Sequence, residues 1–234
     1  MPAPTESDGQ EHFGEEDAHY RRFYVEQREL RYGFAAQMLR LVQEFQPAGR
    51  LLDIGCGLGF FLDYAGRRGY RCVGIDTSAA ATRFAREELH LDAIAADFMD
   101  ACFSPSEAFD VVTANHVLEH ISQPVPFLEK ARRLLKPGGI LVSASPNFGG
   151  LLPRVLTRRW YGLQPSQHVW QFTPESYKAL FQKAGFRIER TEIGSMHYAP
   201  GSKWKETVIF CLAKLATAIG RGDNLVMVAR GSHG

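Results

Sequence analysis

The chain has 234 residues, room for one large domain or two small ones. Apolar residues are 45% of it and charged residues 23%, a globular balance that excludes wholesale disorder. Its 27 Lys and Arg against 26 Asp and Glu give a net charge of +1, which excludes the strongly basic footprint of a non-specific nucleic-acid binder.

Residues Met1 to about Asp17 are polar and acidic, with few apolar positions. They read as a mobile segment and not as a secretory signal. From residue 18 to 46, Tyr20, Phe23, Tyr24, Leu30, Phe34, Met38, Leu41, Val42 and Phe45 recur at helical spacing. This stretch is expected to form a helical cap, ended by Pro47 and Gly49. Strands are then expected at Arg50–Ile54, Arg71–Ile75, Asp92–Ala96, Phe109–Ala114 and Ile140–Ala144. Helices are expected at Phe60–Arg68, Ala79–Leu89 and Pro124–Leu135, with Gly69 and Pro137-Gly138-Gly139 as turn signals. The alternation predicts βαβ units and a parallel sheet covered on both faces, and the unbroken apolar runs suit strands buried on both sides.

Residues 148–170 lack a period and read as a lid loop. Thr173-Pro174-Glu175 opens a helix with a cap and a first-turn proline, ending at Gly185. Two last strands, Phe186–Ile193 and Asn224–Ala229, flank an insertion over 194–223. In it Trp204, Val208, Cys211, Leu215 and Ile219 form a helical stripe amid Lys203, Lys205, Lys214 and Arg221. That helix is expected to dock on the sheet or on a second copy. A weaker possibility is contact with a membrane surface through 203–219. No run of about 18 apolar residues exists, so no transmembrane segment is expected. Cys56, Cys72, Cys102 and Cys211 show no metal-finger spacing and read as reduced thiols of a cytoplasmic protein.

The chemistry starts at Leu51-Leu52-Asp53-Ile54-Gly55-Cys56-Gly57-Leu58-Gly59-Phe60. A buried strand runs into Gly55-x-Gly57-x-Gly59 and a helix follows, a place where backbone approaches a ligand closely, and Phe60 at the helix start is counted among the expected ligand contacts. The dinucleotide fingerprint has glycine where this chain has Phe60, and Asp53 would repel a pyrophosphate. Both disfavour a nicotinamide-dependent oxidoreductase. A carboxylate there suits a ligand with an ammonium group, such as S-adenosyl-L-methionine. Asp76, followed by Thr77 and Ser78, ends the second strand where an acid reaches ribose hydroxyls. Asp97 ends the third, placed to accept from an adenine amine, with Phe98 packing on the ring.

The segments LLDIGCGLGFFL, GIDTS, AADFMD, FDVVTANHVLEHI and LLKPGGILVSASPN resemble the ordered motifs of the S-adenosylmethionine-dependent methyltransferases with a Rossmann-like fold. The resemblance covers roughly Arg50 to Asn147, and more weakly to Gly185. It implies an α/β fold with sheet order 3-2-1-4-5-7-6 and strand seven antiparallel, forming a single methyltransferase domain over 18–234. It also implies that Gly55, Gly57 and Gly59 lie under the methionine moiety, and that Asn115 lines the cofactor with His116 beside it.

His116, Glu119 and His120 share one face of a helical turn after the fourth strand. They read as a wall of the site, as a source of a base in His116 or His120, or as a metal cluster. Quinone-biosynthesis O-methyltransferases, which the segment resembles, carry Glu-x-x-Glu-His associated with a divalent metal. His116 replaces the first Glu, so no metal is expected. His168 lies in Pro-x-x-His-x-x-x-Phe-Thr-Pro, which resembles members acting on quinones, sugars or related metabolites. His120 and His168 are the two preferred catalytic bases. Asn147, Trp160 and Tyr161 from the lid, with Tyr20 and Tyr24 from the cap, are expected to contact the acceptor. The expected reaction is methyl transfer to a hydroxyl of a small molecule, by a monomer or homodimer without a nucleic-acid partner. The alternatives are an inactive cofactor-binding protein, or transfer to nitrogen or carbon of a lipid-like or protein acceptor.

Overall fold

Strand alternation sends Leu51 to one face of the sheet and Leu52 to the other, and both are fully buried. The computed structural model describes residues 28–104, 107–160, 162–195 and 204–231. They form helix α1 (Arg28–Phe45), β1 (Arg50–Ile54), α2 (Phe60–Gly66), β2 (Arg71–Asp76), α3 (Ala79–Glu87), β3 (Ala93–Ala95) and β4 (Phe109–Asn115). A 3-10 turn (Leu118–His120), α4 (Pro124–Arg133), β5 (Leu135–Pro146), α5 (Leu151–Leu156) and a second 3-10 turn (Thr157–Arg159) follow. The chain then runs through α6 (Pro174–Lys183), β6 (Phe186–Gly194), α7 (Trp204–Ala218) and β7 (Asn224–Gly231).

The seven strands lie in the expected order, β3-β2-β1-β4-β5-β7-β6. β1 to β5 are parallel, and β7 is antiparallel to both neighbours. One core lies under α1 and α2, where Met38, Leu39, Val42 and Leu62 meet Leu51, Val111, Val142 and Val226. The other lies under α4 and α6, where Phe127, Leu128, Tyr177 and Phe181 meet Leu52, Val112, Leu141 and Met227. Thr173 and Ser176 form a capping box at the start of α6, as the Thr-Pro-Glu signal requires.

Three expectations need correction. Pro137-Gly138-Gly139 is not a turn ahead of β5 but lies within it, beside a register shift between Phe109 and Val111. A side chain at Gly139 would meet three backbone carbonyls at 3.0–3.1 Å, so glycine is needed for close strand approach. The lid is not irregular throughout, since it contains α5 and the second 3-10 turn. Leu152 and Trp160 bury there against Ala213 of α7. The stripe on α7 does not dock on the sheet. Trp204, Val208, Leu215 and Ile219 are 72, 46, 53 and 55% exposed, and the buried positions are Ala213 and Ala216. Small residues let the helix sit close, and the large apolar ones are left outside.

Candidate cofactor and acceptor site

The carboxyl ends of β1, β2 and β4 converge on the glycine loop, the edge where open α/β sheets take ligands. Gly57 has φ of +52° and open space where a side chain would stand. Gly59 serves packing instead: with φ of +82°, a side chain there would meet Leu91 at 2.6 Å and Ala85 at 3.1 Å. Phe60, at the position that argued against a dinucleotide, is buried and packs edge-on against Tyr32 and Phe84. Its side chain supports α2.

Asp53 is 3% exposed and accepts a 2.6 Å hydrogen bond from Thr113 Oγ1. Burial pushes its carboxyl up to about 7; the Thr113 bond opposes this and the Asp76 charge adds to it. A buried, weakly supported carboxylate beside an open glycine cradle fits an ammonium ligand. Asp76 is half-buried; its Oδ2 accepts from Gly57 N at 2.8 Å and its Oδ1 from Ser78 N at 2.9 Å. Its carboxylate thereby braces the glycine loop. Ser78 caps α3, its hydroxyl accepting from Ala81 N, while Thr77 is exposed at the edge. Asp97 is exposed and folds back on Met99 N at 2.6 Å. Phe98 departs from expectation: it is 5% exposed and its ring packs on Phe127 and Phe103, so it belongs to the core and not to an adenine platform. Sequence reasoning missed Lys130 of α4, whose Nζ donates to the carbonyls of Phe98, Met99 and Ala101 and holds that loop. It also missed Thr113, although a polar residue inside the apolar run DVVTAN was a usable signal.

At the end of β4, Asn115 Oδ1 is buried without a hydrogen-bond partner, and so is His116 Nε2. Among these residues an orphaned acceptor beside the glycine cradle is a second sign that the edge is built for a ligand. His116 adopts φ of +57°, a left-handed conformation that a non-glycine residue rarely holds without a reason in function. Its Nδ1 lies 3.1 Å from Glu119 Oε1, and Ser145 Oγ donates to Glu119 Oε2 at 3.0 Å. Glu119 is 1% exposed. Burial raises its carboxyl, but the hydrogen bond and charge of His116 outweigh this and hold it below the usual carboxylate range.

His120 and His168, far apart in sequence, stand edge to face with ring centres 4.8 Å apart. His120 Nδ1 is 3.0 Å from Gln167 O, and His168 Nδ1 is 2.8 Å from Gly162 O. Carbonyls only accept, so both Nδ1 atoms carry a proton, and in a neutral ring Nε2 is then the nitrogen with the lone pair. Burial lowers the His168 pKa below its ordinary value. Possible ligand atoms of Glu119, His120 and His168 lie within 4.8 Å of one another, although both oxygens of Glu119 already take hydrogen bonds.

The lid residues behave differently from expectation. Trp160 is 2% exposed, and its indole N–H donates to Asp223 Oδ2 at 3.2 Å. Its surface is used in docking the lid and not as an open acceptor wall. Asn147 is 2% exposed and ties the lid base together, Nδ2 donating to Gly222 O and Oδ1 accepting from Gly149 N. The far end is pinned as well, with Trp170 Nε1 donating to Ile121 O at 2.9 Å. Tyr20, Tyr24 and Tyr161 lie outside the described residues, as does the 1–17 segment.

The family model described as a methyltransferase domain matches residues 24–191. The chain belongs to the methyltransferase domain family. Among curated relatives, a ubiquinone biosynthesis O-methyltransferase of Nitrobacter winogradskyi is 32% identical over 171 residues, covering 66% of this chain and 62% of the relative. One from Rhodopseudomonas palustris is 40% identical over 103 residues, covering 42% and 40%. The methyltransferase chain thus spans less than two thirds of the length of these relatives. Among solved structures, an S-adenosylmethionine-dependent methyltransferase of Archaeoglobus fulgidus aligns with a TM-score of 0.64 at 21% identity, covering 88% of this chain and 98% of that one. A phosphoethanolamine N-methyltransferase of Haemonchus contortus, solved with S-adenosyl-L-methionine, aligns at 0.57 and 21%, covering 85% and 53%. At such identities the shared property is the fold.

Proposed function

We propose that this methyltransferase moves a methyl group from S-adenosylmethionine to a hydroxyl oxygen of a small molecule, with His116 taking the proton. The observation that carries the reading is the His116–Glu119 pair beside the glycine cradle. When bound, the cofactor supplies a methyl carbon already activated by a sulfonium. The chain's part is to hold the acceptor oxygen in line and remove its proton. Asp53 would hold the ammonium, Asp76 the ribose and Asp97 the adenine amine, while Asn115 lines the cofactor. Glu119 accepts from His116 Nδ1–H, which leaves the Nε2 lone pair for the acceptor hydroxyl. Ser145 orients the carboxylate in turn. The curated relatives, named as O-methyltransferases, support oxygen as the acceptor atom. This reading assigns the proton transfer to His116 and uses no metal.

A second reading puts the base at His120 or His168, favoured by their contact and their two open Nε2 atoms. The cytoplasm is the proposed location, since all four cysteines are free. Among the described residues no helix is long and apolar enough to cross a membrane.

The test is transfer of labelled methyl to a metabolite extract, with S-adenosylhomocysteine affinity measured in parallel. His116→Ala is expected to cut turnover by roughly 10²–10⁴ while cofactor affinity stays within about twofold. Loss confined to His120→Ala or His168→Ala would move the base to that pair. Full turnover in all three folded variants would leave no histidine base.

A further inference from the structure

We infer that the acceptor is held in the cleft between α1 and α7, with Asn224 on its floor accepting from a hydroxyl of a small molecule that carries both an apolar and a polar part. This rests on the proposed methyl transfer to a hydroxyl. The cleft has a volume of about 440 Å³, within the range of small-molecule sites. Leu30 and Phe34 of α1 and Phe210 and Ala213 of α7 give the cleft its apolar part, while Glu29 and Gln37 of α1 and Lys214 and Thr217 of α7 give it a polar one.

Asn224 points to a ligand. It is 6% exposed, and its Oδ1 is buried with no hydrogen-bond partner among the described residues. Buried acceptors are rarely left unpaired, because their lost hydration is not repaid. A donor arriving with a ligand would repay it. Asn224 opens β7 and pairs with Pro146 of β5 and Gly194 of β6. Ala144 of β5 pairs with Asn115. Asn224 therefore lies at the same sheet edge as Asn115 and His116. Val226 and Val228 join the core under α1, and Asn224 continues that alternation onto the α1 side.

Phe34 joins cleft and base. It lines the cleft, and its ring centre is 6.3 Å from that of His116. An apolar body seated against Phe34 has His116 next to it. Gly33 lies on the same wall, inside α1, where glycine weakens a helix. A side chain there would meet nothing within 4 Å, so packing does not require the glycine. An open cleft does.

The test uses full-length protein saturated with S-adenosylhomocysteine and titrated with 4-butylphenol, an apolar probe with one hydroxyl. Its methyl ether, 4-butylanisole, lacks the donor. Wild type is expected to bind the phenol, and the ether at least about tenfold more weakly. Gly33→Phe fills the cleft and Asn224→Leu removes the acceptor. Each is expected to weaken the phenol by about tenfold or more, with S-adenosylhomocysteine affinity within about twofold. No binding by wild type, or unchanged binding by Gly33→Phe, overturns the cleft. Equal binding of phenol and ether overturns the role of Asn224, and this comparison stands even if Asn224→Leu does not fold. Phenol binding that is lost in Gly33→Phe, in a protein that methylates no hydroxyl, supports the cleft and sinks the proposed reaction instead.

Discussion

Asp53 shows what the cofactor site costs before a ligand arrives. Its folded pKa of about 7 lies above the unfolded carboxylate value of about 3.9. Between those pH values the folded protein holds a proton that the unfolded chain has shed. The stability contributed by this group is therefore present in acid and lost as pH rises from about 4 to 7. Cofactor binding runs the other way, since an ammonium needs the ionised carboxylate. The S-adenosylmethionine dissociation constant is expected to fall about tenfold per pH unit as pH rises toward 7, then level off. Asp53→Asn should bind about ten- to a hundredfold more weakly, with that pH dependence gone. Calorimetry across this range checks both; a flat wild-type profile would show that Asp53 is not the cation's partner. That Asp53 was readable from sequence follows from its place: a charged residue inside LLDIG has no solvent to face.

Elements position these residues through contacts distant in sequence. The loop after β3 carries Asp97 but has a strand of only three residues behind it. Lys130 supplies the missing support with three hydrogen bonds from α4. Hydrogen bonds to a charged group are worth about 1.5–3 kcal/mol where well formed. Lys130 is half-buried, so its loss is expected near the lower end. Lys130→Met should loosen the loop, weaken S-adenosylhomocysteine by about tenfold and speed amide exchange over 97–101 while the remaining sheet is unchanged. Unaltered exchange there would show that the loop holds itself. The lid makes the same point. From sequence all of 148–170 reads as a loop without a period, yet Trp160 and Asn147 fasten its first part to the Gly222–Asp223 turn that precedes β7. Trp160→Phe removes the indole donor and should make Arg158 and Arg159, both exposed, cleave faster with trypsin. Cleavage at the wild-type rate would assign the docking to apolar packing alone.

Over the whole molecule, charge and apolar surface are unevenly spread. Segments 148–170 and 203–221 hold seven Lys and Arg against one Glu, in a chain whose net charge is only +1. Helix α7 exposes Trp204, Val208 and Leu215, with Ile219 just past its end. An exposed apolar face of this kind marks a contact surface, strong enough here to be tested against the repulsion of the basic residues around it. Self-association through α7 is therefore expected. Leu215→Lys with Ile219→Lys should shift sedimentation toward the monomer and leave S-adenosylhomocysteine affinity intact, since neither residue lines the cofactor edge. Identical sedimentation of variant and wild type would free α7 for another partner, such as an anionic lipid surface.

Local order determined most of the fold. Short apolar runs, the glycine loop and acids at strand ends are consecutive signals, and the sheet order follows once the family resemblance is read from them. Chain order could not decide which side chains meet across the edge. His120 and His168 are 48 positions apart and read as rival bases, but folding makes them neighbours. His116 reads from sequence as cofactor lining or as a candidate base, and only the fold shows its Nδ1 beside Glu119 and its Nε2 buried. Phe98 and Trp160 are aromatic residues near the site whose rings turn into the core, because burying them gains more than lining a wet cleft. The stripe on α7 had the period of a docking face, but period reports only that a face exists. Which face turns inward was decided by fit: Ala213 and Ala216 can lie close against Trp160 and the sheet edge, where Leu215 and Ile219 are too large to enter.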